Sequence, residues 1–161
     1  MRKFLVAAVA ALSFASIASA DTKFNTGDYA LTLSGSGSAD KNFDDGNINA
    51  QANLSYFLSP AWEVNLRQGI GYNDNFVGST TFGFDFNFNL ESNFVPYIGA
   101  NLGFVYGGEV DDSFVAGPEA GVRYFVNDTT FIQANIQYEF DIDDGFDEGA
   151  FGYGLGIGFR W

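Results

Sequence analysis

The chain has 161 residues, with 20 acidic against 7 basic side chains and a formal net charge of −13. Such an acidic chain does not suit the phosphate backbone of nucleic acid, and 19 phenylalanines argue against disorder. Cysteine and histidine are both absent, which excludes a disulfide framework, thiolate chemistry and any mechanism resting on an imidazole base.

The first element is MRKFLVAAVAALSFASIASA. A basic start (Arg2, Lys3), an apolar middle and small residues at Ala18-Ser19-Ala20 form a secretory signal. Residues 1–20 are expected to be removed after Ala20, leaving 21–161 as one domain. A membrane anchor is the alternative, but the run is short and alanine-rich.

From Tyr29 onward the period is two, which is a strand period. A first, weaker strand is expected near Tyr29 to Ser36. In the second, Ile48, Ala50, Ala52, Leu54 and Tyr56 alternate with polar residues. Trp62, Val64, Leu66, Ile70 and Tyr72 mark the third, and Phe82, Phe84, Phe86, Phe88 and Leu90 the fourth. Ile98 to Tyr106, Ala116 to Tyr124 and Ile132 to Phe140 continue the pattern. The eighth is FGYGLGIGFRW, where Gly152, Gly154, Gly156 and Gly158 alternate with large apolar residues. No segment reads as a helix. Short connections are expected near Leu58–Ala61, Glu91–Val95 and Val126–Thr130, and longer acidic ones near Ser38–Asn47, Asn73–Ser79, Gly107–Ser113 and Asp141–Gly149.

Eight strands of about ten residues, with short turns and long loops in alternation, predict an all-β, eight-stranded antiparallel transmembrane β-barrel of up-and-down type. The apolar face is nearly pure Phe, Leu, Ile, Val and Ala. An eight-stranded interior cannot hold it, so it should face lipid. With both termini periplasmic, Tyr29, Tyr56, Trp62, Tyr97, Tyr124 and Trp161 fall near one membrane interface. Tyr72, Tyr106, Tyr138 and Tyr153 fall near the other, giving two aromatic belts. A soluble, lipocalin-like barrel is the weaker alternative.

The stretches PYIGANLGF, GPEAGVRYFVNDTT and GLGIGFRW carry a resemblance. The chain from Asp21 to Trp161 resembles the small eight-stranded outer-membrane β-barrels of the OmpA, OmpX and opacity-protein type. The resemblance implies a bacterial outer-membrane location. It also implies that Tyr153, Leu155, Ile157, Phe159 and Trp161 form the C-terminal signal read by the barrel-assembly machinery. It does not carry over the peptidoglycan-binding role of OmpA, whose periplasmic domain has no counterpart in the sequence.

Seven charges fall on the inward face: Glu63, Arg67, Asp85, Glu119, Arg123, Glu139 and Arg160. Buried charges must pair. Pairing Tyr72 with Thr80 would set Arg67 opposite Asp85, and Glu63 could meet Arg123 and Arg160. Such a network is either a structural plug, the favoured reading, or the charged gate of a narrow pore. The glycines of the eighth strand face only small residues of the first, which suggests an under-filled, off-centre arc near Gly156. In the last loop Asp141, Asp143, Asp144, Asp147 and Glu148 are dense enough to consider Ca²⁺. Phe146 and Gly152 break the EF-hand pattern, so solvated loop tips, bridged to lipopolysaccharide by divalent cations, are the preferred reading. The expectation is a monomeric, non-enzymatic barrel without cofactors. Its role would be structural, or a surface interaction through acidic loops with a partner the sequence does not identify. A narrow pore for water, ions or very small solutes is the alternative.

Overall fold

A computed structural model describes residues 23–39, 46–73, 75–90, 92–108, 112–142 and 149–161. Among them eight strands, β1 (Tyr29–Ala39), β2 (Gly46–Phe57), β3 (Trp62–Asn73), β4 (Asn75–Asn87), β5 (Phe94–Tyr106), β6 (Ser113–Phe125), β7 (Thr130–Asp141) and β8 (Gly149–Arg160), pair antiparallel in sequence order. β8 returns to β1, so the sheet is a closed barrel. The ring is latched at the chain ends by reciprocal backbone bonds between Tyr29 and Trp161, each 3.0 Å.

The alternation sorts side chains as the sequence requires. Polar Thr32, Asn53, Ser55, Glu63, Asn65, Arg67, Thr81, Asp85 and Asn87 are buried inside. Leu33, Leu54, Leu66, Ile70, Phe82, Phe84, Leu102 and Ile136 are exposed outside. A wall that shows its apolar residues and hides its polar ones is the inverse of a water-soluble barrel. On the outer wall, near the end that carries both termini, Tyr29 packs on Tyr56 and on Trp161, with ring centroids 5.0 and 6.2 Å apart. Trp62 stacks on Phe84 at 4.8 Å, and Phe94 meets Tyr124 at 4.8 Å. Near the far end Tyr138 packs on Phe151 at 4.5 Å.

Three expectations need correction. Tyr97 does not belong to the outer belt: it shares the parity of the inward Val95 and Gly99, and its ring is buried in the lumen. The connection expected over Asn73–Ser79 is instead a tight hairpin in which Asn73 faces Asn75 and Tyr72 faces Phe76. This shifts the β3–β4 register by four residues, so Arg67 faces Thr81 and Glu63 faces Asp85. The shift is even, which keeps every side chain on its expected face. The start of β4 escaped notice because its outward positions include Gly78 and Thr80, which interrupt the apolar rhythm. The Tyr106 ring covers Gly78 so closely that a Cβ there would lie 2.4 Å from Tyr106 Cε2. Thr80 donates to Gln68 (2.8 Å), which donates to the Tyr106 hydroxyl (2.9 Å), so the outward polar groups satisfy one another. Finally, β4 ends at Asn87 rather than Leu90, and Phe94 and Val95 already belong to β5.

Candidate functional site: the lumen

The interior is built in layers. The lowest, at the end bearing the termini, is aromatic. The segment before β1 turns back on itself at Gly27, whose φ of 92° suits glycine. Gly27 N–H donates to Phe57 O (2.8 Å), and Asn25 N–H donates to Asp28 Oδ2 (2.9 Å). This fold-back inserts Phe24 into the mouth of the barrel, where it is fully buried. It stacks on Phe57 (3.9 Å, 11°) and meets Phe125 and Phe131 edge-on at 5.2 and 6.0 Å. Gly158 makes room for this floor, since a Cβ there would lie 2.2 Å from the Phe131 ring. Phe24 precedes the first strand, so no periodicity announced it. Phe57, Phe125 and Phe131 do have inward parity, which was the available signal.

Above the floor lies Arg123, 1% exposed. Its guanidinium grips Glu63 in a fork, Nη1 to Oε2 at 2.7 Å and Nη2 to Oε1 at 2.9 Å. It also donates to Asn87 Oδ1 (2.6 Å) and to Gln133 Oε1 (2.9 Å), and it lies 4.4 Å over the Tyr97 ring. The fork is a charge-assisted pair with its donors used and its flat face covered.

The next layer is Arg67, Glu119 and Asp85. Arg67 Nη2 donates to Glu119 Oε1 and lies 3.8 Å from Asp85 Oδ2. Asn65 Nδ2 donates to Asp85 Oδ2 at 2.8 Å, and Arg67 Nη1 reaches Gln137 at 3.5 Å. Glu63 and Asp85 are directly opposite on β3 and β4. Two carboxylates so placed repel; Glu63 is offset by Arg123, while Asp85 shares Arg67 with Glu119. The main pairs run from β3 to β6, strands that are not neighbours in the ring. They are struts across the lumen, which stand beside the expected pair of adjacent strands, Arg67 with Asp85 at 3.8 Å.

Five of the seven expected charges thus meet inside. Glu139 is half-buried on β7 and joins neither cluster among the described residues. Arg160 lies at the rim and pairs with Asp28 at 2.9 Å, not with Glu63. Asp141 closes β7 and is half-buried, while Asp143, Asp144, Asp147 and Glu148 lie outside the described residues. Tyr153, Leu155, Ile157, Phe159 and Trp161 are all exposed on the outer wall.

The far half is different. A cavity of about 130 Å³ lies among Ser34, Asn49, Gln51, Asn135, Gln137 and Gly154. The space expected near Gly156 is filled: a Cβ there would sit 2.7 Å from Leu33 O and 2.9 Å from Ser34 Cβ. The room lies farther along β8, at Gly152 and Gly154.

The fold matches solved structures at low identity. The N-terminal β-barrel domain of Pseudomonas aeruginosa OprF is 17% identical, with 85% of this chain and 98% of that one covered and a TM-score of 0.66. OprG from the same organism is 14% identical over 88% and 99% of the two chains, with a TM-score of 0.59. Neisserial surface protein A is 16% identical over 83% and 94%, with a TM-score of 0.54. No protein-family model and no curated protein matches the sequence. The chain has the fold of the small eight-stranded outer-membrane β-barrels.

Proposed function

We propose that the chain is an integral, monomeric barrel of the bacterial outer membrane with periplasmic termini. It is non-enzymatic and contributes envelope structure or a surface contact made by its acidic far-end loops. The observation that carries this reading is the double closure of the lower lumen. An aromatic floor around Phe24 lies under two layers of ion pairs that cross the barrel. A lumen closed in this way resists ions and leaves function to the outer wall and the loops. The inverted wall, the aromatic girdles and the likeness to outer-membrane barrels support the location. The absence of histidine and cysteine from the sequence weighs against the usual acyl-transfer nucleophile and base pairs. Partners on this reading are membrane lipid, lipopolysaccharide held through divalent cations at the loops, the assembly machinery acting on Tyr153 to Trp161, and a surface partner.

The cavity beside Gly152 and Gly154 favours a second reading, a narrow pore for water, ions or very small solutes. Planar-bilayer recording of the refolded protein separates the two, with insertion checked by heat-modifiable mobility. Silence is expected. Reproducible small steps altered by Asp85→Ala would overturn the closed-lumen reading and establish the pore.

A further inference from the structure

Within the closed barrel, the β1–β8 ladder ends early. β1 pairs with β2 along its whole length, down to Ala39 opposite Gly46. β8 pairs with β7 as far as Gly149 opposite Phe140. The β1–β8 ladder itself stops at Gly35 opposite Leu155. Beyond that rung no β1–β8 pair is formed among the described residues, while β1 stays paired with β2 and β8 with β7. Gly35 lies six residues above Tyr29. At about 3.3 Å per residue and a tilt of about 40°, this places the fork roughly 15 Å above the lower girdle. On the outer-membrane reading proposed above, the gap therefore opens into the outer half of the hydrocarbon band.

The cavity sits at this fork. Its polar lining comes from inward side chains, Ser34, Asn49, Gln51, Asn135 and Gln137. Its remaining lining includes Gly35, Ala50 and Tyr153, which have the opposite, outward parity. The lining meets the end of the β1–β8 ladder, with Ser34 and Gly35 on one side and Gly152, Tyr153 and Gly154 on the other. Outside it stand Phe151 and Tyr153, 72% and 82% exposed. Tyr153 borders the cavity, so an exposed β8 ring stands beside a set of uncharged hydrogen-bonding groups.

We propose that the β1–β8 fork is a binding site for an uncharged, single-tailed amphiphile. A hydroxyl- or amide-bearing head enters the cavity, and the tail remains in the membrane against Phe151 and Tyr153. The lining selects the head. Ser, Asn and Gln both donate and accept hydrogen bonds and carry no charge. The nearby charges Arg67, Glu119 and Asp85 are already engaged with one another. A carboxylate head would lose its hydration without gaining a cation, because Arg67 is already shared by Glu119 and Asp85. The volume of about 130 Å³ admits a glycerol-sized head, not a sugar chain. Backbone groups beyond the last rung would also gain partners from such a head, which hydrocarbon alone does not offer.

The test is a titration of isotope-labelled, refolded protein in phosphatidylcholine nanodiscs with 1-monooleoylglycerol, read by backbone amide shifts. Saturable shifts clustered at Ser34, Gln51, Asn135, Gly152 and Gly154 are expected, with none from glycerol and weaker ones from oleate. The double variant Gln51→Leu/Asn135→Leu should keep the barrel spectrum and weaken binding about tenfold or more. Shifts spread evenly round the outer wall, an equal response to oleate, or unchanged saturation in the double variant would each overturn the proposal. Failure to enter nanodiscs would remove the membrane reading and this site together. Insertion without saturable shifts removes the site alone.

Discussion

The two halves of the lumen are made of the same strands but solve opposite problems. In the half near the termini, charged and aromatic side chains interlock, Arg123 uses its donors on three partners, and β1 meets β8 rung by rung. In the far half the inward residues, Glu139 apart, are short or uncharged, a cavity persists, and the β1–β8 ladder has ended. The difference shows that closing a sheet into a ring does not by itself fill it. What fills the lower half is a set of long side chains, from strands far apart in the ring, that reach each other across the middle.

The comparison can be broken by substitution, beginning with the largest expected effect. Glu63→Ala leaves Arg123 buried without its carboxylate and should cost about 3–5 kcal/mol. The urea midpoint of the protein refolded in vesicles measures this, and a loss below about 1 kcal/mol would mean the layer does not brace the lower half. Phe24→Ala empties the centre of the floor and should cost about 3 kcal/mol. Because Lys23 precedes it, the loosened arm should also become open to limited trypsin digestion, whereas the parent arm resists.

A pair of glycine substitutions compares the halves directly. At Gly99 a Cβ would lie 1.9 Å from Asp85 Oδ1 and 2.6 Å from Phe84 O, so Gly99→Ala should cost about 1–3 kcal/mol. At Gly154 the nearest group is the flexible end of Asn135, 2.6 Å away, with open space beyond. Gly154→Ala should therefore change stability by about 0.5 kcal/mol or less. Equal losses in thermal melts of the two variants would erase the distinction between a packed and an open half. Smallest of the losses at the termini is Asp28→Ala. It breaks a partly exposed pair with Arg160 and the turn bond from Asn25 N–H, and should cost about 1 kcal/mol or less in the same melts.

Much of this was legible in the sequence, because period two is a strong signal in strands with one apolar face. Strand number, the face of each charge and the meeting of Glu63 with Arg123 all follow from parity and length. The β3–β4 register was not legible. It depended on Gly78, whose missing side chain is replaced by the Tyr106 ring from another strand. The cross-lumen partners were also hidden. Parity says that Arg67 points inward, but which acid it reaches depends on strand tilt around the whole ring. Glu119 therefore took the place expected for Asp85 as its main partner. Phe24 belongs to no strand, so only the turn at Gly27 and Asp28 reveals that it enters the mouth.

The shortened β1–β8 ladder also bears on how the ring comes together and comes apart. Every other pair of neighbouring strands is a hairpin and can zip as soon as both strands exist. The last pair joins opposite ends of the chain and must wait for Trp161, which makes it the slowest contact to form. Its open end is a notch. A force or a denaturant that pulls the strands apart would start the tear there and run it downward, rung after rung, toward the clasp between Tyr29 and Trp161.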